Sequence, residues 1–264
     1  MIDQDRQPAQ GMFSPSPGAA PLHRMVAAQA SMELRILLRN GEQLLLTMVI
    51  PVLLLVGFSL TSVLDIGEGS RVGFLAPGVL ALAVMSTAFT GQAIGTGFER
   101  RYGVLKRLGA TPLSRFGLLA AKTAAVLAVE ALQIAVLCGV AFSLGWRPAA
   151  GASGLAYAAV LLLLATAAFS ALALLMAGTL RAEATLAAAN LVYVILLGLG
   201  GVLFPTDRFP EPVQAAVQAL PITALTKGLR SALTEGSAPL VPAAILAAWA
   251  VIAAALASRY FRWE

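Results

Sequence analysis

The sequence predicts an all-α polytopic membrane protein: six transmembrane helices, an N-terminal amphipathic interfacial helix and short extracytoplasmic re-entrant helices before the last span. Three observations predict it. Hydrophobic residues make up 59% of the chain and charged residues 12%, about half the charged share of a soluble domain. The apolar residues gather into six runs, each long enough for a hydrocarbon core of ~30 Å, which takes roughly 20 helical residues. The 18 Lys and Arg residues fall unequally on alternate intervals between those runs, as the positive-inside rule requires.

Residues 1–21 are rich in Pro, Gln, Ser and Gly without periodicity and read as a disordered cytoplasmic tail. No apolar stretch follows a basic start there, so a signal peptide is not expected and the first span serves as its own insertion signal. Between 22 and 42, Arg24, Ala28, Ser31, Arg35, Arg39 and Glu42 recur at spacings of three or four. Met25, Met32 and Ile36, with Leu34, Leu37 and Leu38, fill the other side, which predicts an amphipathic helix. A helix lying in the membrane interface fits its length and basic face; a plain juxtamembrane anchor is the alternative.

A six-span transmembrane domain over 43–264 follows. The spans are placed at 44–64, 74–98, 118–144, 155–180, 185–204 and 240–258, as helices, because backbone groups in lipid must be satisfied within the segment. Pro51 and Pro77 are expected to bend the first two. With the amino terminus inside, the inner segments hold Arg6, Arg24, Arg35, Arg39, the six basic residues from Arg100 to Lys122, Arg181, Arg259 and Arg262. The outer segments hold Arg71, Arg147, Arg208, Lys227 and Arg230. That asymmetry places both termini in the cytoplasm and requires an even number of spans. It also accounts for the net charge of +5 without a nucleic-acid partner. One histidine, His23, and one cysteine, Cys138, exclude a His/Cys metal site and an intrachain disulfide.

From Pro205 to Pro239 the chain makes one long outer connection. Val213, Ala216, Val217 and Leu220 repeat at helical spacing; Pro221 then opens a second pattern through Leu225, Leu229 and Leu233, stopped by Gly236. Neither run can span. Two short helices dipping into the outer leaflet satisfy the pattern; an amphipathic surface cap is the alternative.

The densest basic stretch is Glu99-Arg-Arg-Tyr-Gly-Val-Leu-Lys-Arg-Leu-Gly-Ala-Thr-Pro-Leu-Ser-Arg115. Glu99 to Leu108 reads as a short helix extending from the second span, ended by Gly109, with Thr111-Pro112 opening the next segment. This stretch continues to Lys122. It is accompanied by Glu33-Leu-Arg-Ile-Leu-Leu-Arg-Asn with Pro51 early in the first span, and by Leu220-Pro-Ile-Thr-Ala-Leu-Thr-Lys-Gly-Leu-Arg230. On these three stretches the chain resembles the membrane subunit of type-2 ATP-binding-cassette (ABC) exporters, including bacterial multidrug and antibiotic exporters of the daunorubicin-resistance kind.

The resemblance implies a permease in the bacterial cytoplasmic membrane, working with two ABC ATPase subunits and a second permease copy. It implies that the 99–115 loop is the coupling helix seated in the ATPase, through Glu99, Arg100, Arg101, Tyr102, Gly103, Lys106, Arg107, Gly109, Thr111, Pro112 and Arg115. Many relatives carry Glu where Lys106 stands. The interfacial helix, with Arg24, Glu33, Arg35 and Arg39, would be its neighbour, and Pro221, Thr223 and Arg230 would mark the re-entrant segment. A topogenic loop that touches nothing is the alternative; it explains the basic residues but not the Gly109-Ala-Thr-Pro-Leu-Ser pattern.

Glu130 stands near the middle of the third span, where an acid costs on the order of 2.5–3.5 kcal/mol on insertion scales. With Gln133, Gln92 and Asn190 it defines a candidate substrate path. A structural hydrogen bond between spans is the alternative for Glu130, and interhelical bonding the expectation for Asn190. Lys122 is two turns from Glu130, too far for a direct pair. Gly91 and Gly95 at the end of the second span permit close helix approach.

The sequence contains no G-x-x-x-x-G-K-[S/T] phosphate loop, so ATP and Mg are expected on a partner subunit and no cofactor in this chain. A secondary transporter using Glu130 would show repeated halves with matching broken helices, and the two three-span halves show no such similarity. An intramembrane enzyme would need converging acid, base or metal groups, and Glu130 is the single carboxylate deep inside the runs.

Overall fold

The computed structural model describes residues 18–61, 70–149, 151–203, 206 and 209–261, apart from the side chains of Glu42, Gln43, Leu46 and Arg115. Most of the expected tail, the far end of the first span and Arg208 therefore lie outside the described residues. The described chain is helical throughout: α1 (Leu22–Arg39), α2 (Gly41–Leu60), α3 (Arg71–Val84), α4 (Gln92–Arg101), α5 (Val104–Gly109), α6 (Arg115–Ser143), α7 (Ala152–Thr179), α8 (Ala182–Leu199), α9 (Glu211–Gln218), α10 (Pro221–Arg230) and α11 (Leu240–Tyr260). Two π-helical stretches, Met85–Gly91 and Ser231–Glu235, join α3 to α4 and extend α10.

Among the described residues, five helical segments are long and apolar enough to cross a membrane: Arg71–Arg101, Phe116–Ser143, Ala152–Thr179, Ala182–Leu199 and Leu240–Tyr260. The first expected span falls on α2, whose described apolar part, Thr47–Leu60, is shorter. The α3–α4 column is the centre of the bundle. Of its most apolar stretch 83% is buried, against 22% for α8 and 17% for α11, whose outer faces are the ones left for lipid. Leu75, Val79, Leu82, Met85 and Phe89 of this column meet Leu161 and Phe169 of α7 and Leu225 and Leu229 of α10 in the main core.

Helix starts follow local chemistry. Ser70 and Ser114 accept hydrogen bonds from the amides of Gly73 (3.3 Å) and Gly117 (3.0 Å) at the starts of α3 and α6, satisfying one orphan donor each. Pro221 occupies the first position of α10, where its missing N–H leaves nothing unpaired. Gly236, at φ +66°, stops the π-helical extension in a left-handed conformation that favours glycine.

The connection between α8 and α11 folds as a helical hairpin, with α10 packed into the bundle. Ile222, Thr223, Ala224, Leu225, Thr226 and Leu229 of α10 are buried inside the bundle. At the α9–α10 turn, the Ala219 carbonyl accepts from the Trp249 indole at 2.8 Å. Trp249 is nine residues into α11, so the turn reaches ~13 Å along that helix. From there α10 climbs back until Gly228 meets Leu161 and Pro242.

One pole of the bundle collects α1, α5, the start of α6, the end of α7 and Phe261. A second small core holds it together: Leu105, Leu113, Leu118, Leu174 and Phe261, with Met25 and Val26 of α1 packed on it.

Candidate functional site

The basic stretch at this pole is two helices, not the single one expected over Glu99 to Leu108. Gly103 takes φ +71°, which ends α4 at Arg101 and restarts the chain as α5. A short helix ended by Gly109 is what remains of the expectation, and α5 does end there. Leu105 is completely buried while Tyr102, Lys106, Arg107, Gly109, Thr111 and Pro112 are exposed. The Thr111 hydroxyl donates to the Leu108 carbonyl at 2.6 Å, tightening the exit from α5. The result is a projecting turn with polar side chains outward and one leucine nailing it to the core.

Arg100 and Arg101, expected with the partner-facing set, point along the membrane pole. Arg100 donates to the Leu180 carbonyl and Arg101 to the Glu183 carboxylate, so both bind the α7–α8 turn. Arg115 begins α6 and its side chain is outside the described set.

Behind the turn lies a buried cluster of charge. Lys122 of α6 is 2.9 Å from Glu33 of α1 and 2.7 Å from Glu99 of α4. Gln29, one helical turn before Glu33, donates to it at 2.8 Å. Glu33 therefore does not belong with the exposed Arg24, Arg35 and Arg39: it and Gln29 form the face of α1 that is buried against α6. Met32, Ile36 and Leu38 are exposed, the apolar side that a helix in the interface would give to lipid. Burying three charged groups is unfavourable unless they pair, and here each carboxylate shares the one ammonium.

A cleft of about 250 Å³ opens beside the cluster, lined from α1, α2, the first π-helical stretch, α4, α5 and α6. Its polar lining is Glu33, Asn40, Thr47, Thr87, Gln92, Thr96, Glu99, Tyr102 and Lys122; Leu37, Leu44, Val126 and Val129 supply apolar wall. Gln92 is 7% exposed, and neither amide atom has a partner among the described residues. Gly95 faces open space on the same helix, while it is Gly97 that makes the close helix approach, against Thr185.

The other expected path residues lie elsewhere. Gln133 accepts from the Thr87 hydroxyl at 2.8 Å and donates to the Thr47 carbonyl at 2.7 Å, tying α2 and the π-helical stretch to α6. Glu130 accepts from the Thr166 hydroxyl of α7 at 2.5 Å, the structural alternative read from the sequence. Neither lines the cleft. Asn190, expected between spans, is exposed, because α8 buries only the face of Ala182, Thr185, Ala189 and Leu196.

At the opposite pole, Arg230 closes the α9–α10 hairpin onto α3. Its guanidinium lies 3.6 Å from the Phe74 ring centroid and donates to the carbonyls of Gly201 (2.7 Å) and Phe74 (3.3 Å). Thr223 is completely buried, and its hydroxyl has no partner among the described residues. Sequence reasoning missed Gly78, which leaves room for the Val202 carbonyl, and the π-helical stretch at Met85–Gly91, whose one local signal is the run of Ser86, Thr87 and Thr90 amid apolar residues.

A bundle of apolar helices, with an amphipathic helix and a projecting polar turn at one pole and a helical hairpin at the other, defines a multi-pass membrane protein. The ABC-2 type transporter family profile matches residues 27–234, from within α1 to the π-helical stretch after α10. The chain belongs to the ABC-2 transporter family: it is a multi-pass membrane permease, of the kind that works with an ABC ATPase. No curated protein matches the chain.

Proposed function

We propose that this chain is the permease subunit of an ATP-driven exporter, moving hydrophobic or amphipathic molecules such as drugs, antibiotics or lipids out of the cytoplasm or inner leaflet. Two permease copies and two ATPase subunits, the latter holding ATP and Mg, would complete it in a bacterial cytoplasmic membrane. Six crossings, with α2 as the first, put both termini and the pole carrying α1 and α5 in the cytoplasm.

The observation that carries the reading is the α4–α5 turn. Lys106 and Arg107 are exposed on a helix anchored by completely buried Leu105, and its stem is continuous through α4 with the most buried span. A push on α5 is transmitted to the bundle centre because that column has the least freedom to yield. The ion-gradient-driven alternative, a secondary transporter with Glu130 as the ion site, is disfavoured because Glu130 bonds Thr166 and does not line the cleft.

The test is co-purification with an ATPase encoded beside it, followed by the double substitution Lys106→Glu, Arg107→Glu. Export and cargo-stimulated ATP hydrolysis are expected to fall at least about tenfold, the cost of roughly 1.4 kcal/mol of coupling, with membrane insertion unchanged. Undiminished export at normal expression would overturn the coupling assignment.

A further inference from the structure

The geometry points to a binding site for a singly charged cationic amphiphile in the cleft between α1, α4 and α6. Glu33 and Glu99 flank one ammonium, Lys122. With all three ionised, one negative charge is left over in a water-poor site, where an uncompensated charge is costly. No other cationic side chain among the described residues lines the cleft. A ligand ammonium would supply the missing charge.

Two further features select the ligand. The Gln92 amide is more than nine-tenths buried, lines this cleft and bonds to none of the described residues. A buried amide of that kind loses free energy until a ligand satisfies it. Phe98 and Tyr102, stacked with ring centroids 6.2 Å apart, also line the cleft and offer aromatic faces to a cation. Leu37, Leu44, Val126 and Val129 supply an aliphatic patch suited to an alkyl or aryl body. An anionic amphiphile would meet the surplus carboxylate, and a neutral one would leave it uncompensated.

Occupancy here requires neither nucleotide nor a partner subunit, so it stands or falls separately from the export reading. The full-length chain in phosphatidylcholine nanodiscs would be photolabelled with a decylammonium bearing a terminal diazirine. Labelled peptides would be mapped, with decylammonium, decanol and decanoate as competitors. Labelling is expected on α1, α2, α4 or α6 residues of the cleft, with decylammonium competing at least about tenfold better than decanol, the value of one charge-assisted contact. Glu99→Gln leaves the Glu33–Lys122 pair intact and removes the surplus charge, so the preference for the ammonium is expected to collapse. Gln92→Leu keeps side-chain size and leaves the ion cluster untouched; it is expected to weaken labelling severalfold. Equal competition by decanol, or wild-type preference in both variants, would overturn the site. So would displacement of the probe by phosphatidylethanolamine at matched mole fraction, which would make the occupant a bilayer lipid.

Discussion

Lys122 on α6 and Glu33 on α1 lie 2.9 Å apart with only 5% and 8% of their side chains exposed. The pair fastens α1 to the start of α6. Glu99, at 2.7 Å from the same ammonium, brings in the base of the α4–α5 turn. Three elements that reach the same pole from different parts of the chain thus share one cation, and a displacement of α5 is felt by α1 through side chains that cannot re-solvate cheaply. Substituting Lys122→Met would leave two buried carboxylates facing each other. Loss of one member of a buried ionic group costs about 3–5 kcal/mol, so the detergent-purified protein is expected to melt at markedly lower temperature. The triple variant Glu33→Gln, Glu99→Gln, Lys122→Met is expected to recover much of that loss. Additive destabilisation across the three positions would show that they do not act as a unit.

The orientation of α1 also shows where sequence reading stops. Periodicity assigns polar residues outward, and it was right for Arg24, Arg35 and Arg39, which are exposed. It gave no place to Glu33, which is buried in an ion cluster: the compensating charge, Lys122, lies 89 positions away and is shared with Glu99, 66 positions away. The hint in the sequence was that both partners sit at the edges of apolar runs, where a charge needs an explanation. The helix opened by Pro221 was legible because its signals are local: Pro221 at the helix start and Gly236 at φ +66°. The break at Gly103 was not, since a glycine within a basic, helix-compatible run gives no sign of its φ until its neighbours are packed.

Arg101 and Glu183 form an ion pair between the end of α4 and the start of α8, with both side chains more than half exposed. Exposed pairs are worth about 0–1 kcal/mol, so Arg101→Glu alone is expected to leave the fold intact and to lower export modestly through local repulsion. The reciprocal swap Arg101→Glu, Glu183→Arg is expected to restore export. A failure of Glu183→Arg to rescue would move Arg101 into the partner-facing set.

Glu130 and Thr166 link α6 to α7 at 2.5 Å, with Glu130 2% exposed and Thr166 completely buried. Glu130→Gln keeps an acceptor for the Thr166 hydroxyl, so export of chemically different cargoes is expected to be retained alongside normal folding. Thr166→Val removes the donor and leaves a buried carboxyl group without it, at a cost of about 1–3 kcal/mol. Thermal melting should rank Thr166→Val well below Glu130→Gln. A Glu130→Gln variant that folds normally but loses export of cations selectively would instead place Glu130 on the path.

Gly78 and Arg230 together seat the α9–α10 hairpin. A Cβ at Gly78 would lie 2.6 Å from the Val202 carbonyl oxygen and 3.3 Å from the Arg230 guanidinium. The first contact is backbone, which cannot swing aside, and overpacking of this kind costs about 1–3 kcal/mol. Gly95 on the continuing column has nothing within 4 Å of such a Cβ, so Gly95→Ala serves as the control and is expected to be close to neutral. Arg230→Lys keeps the charge but loses the planar fork that reaches the Gly201 and Phe74 carbonyls at once, and it is expected to behave like Gly78→Ala. Hydrogen exchange of amides 211–235 reads the effect directly: both variants are expected to raise exchange across α9 and α10 while leaving α6 protected. Exchange that rises equally in α6 would show global destabilisation in place of a loosened hairpin, and the latch assigned to Arg230 would fall.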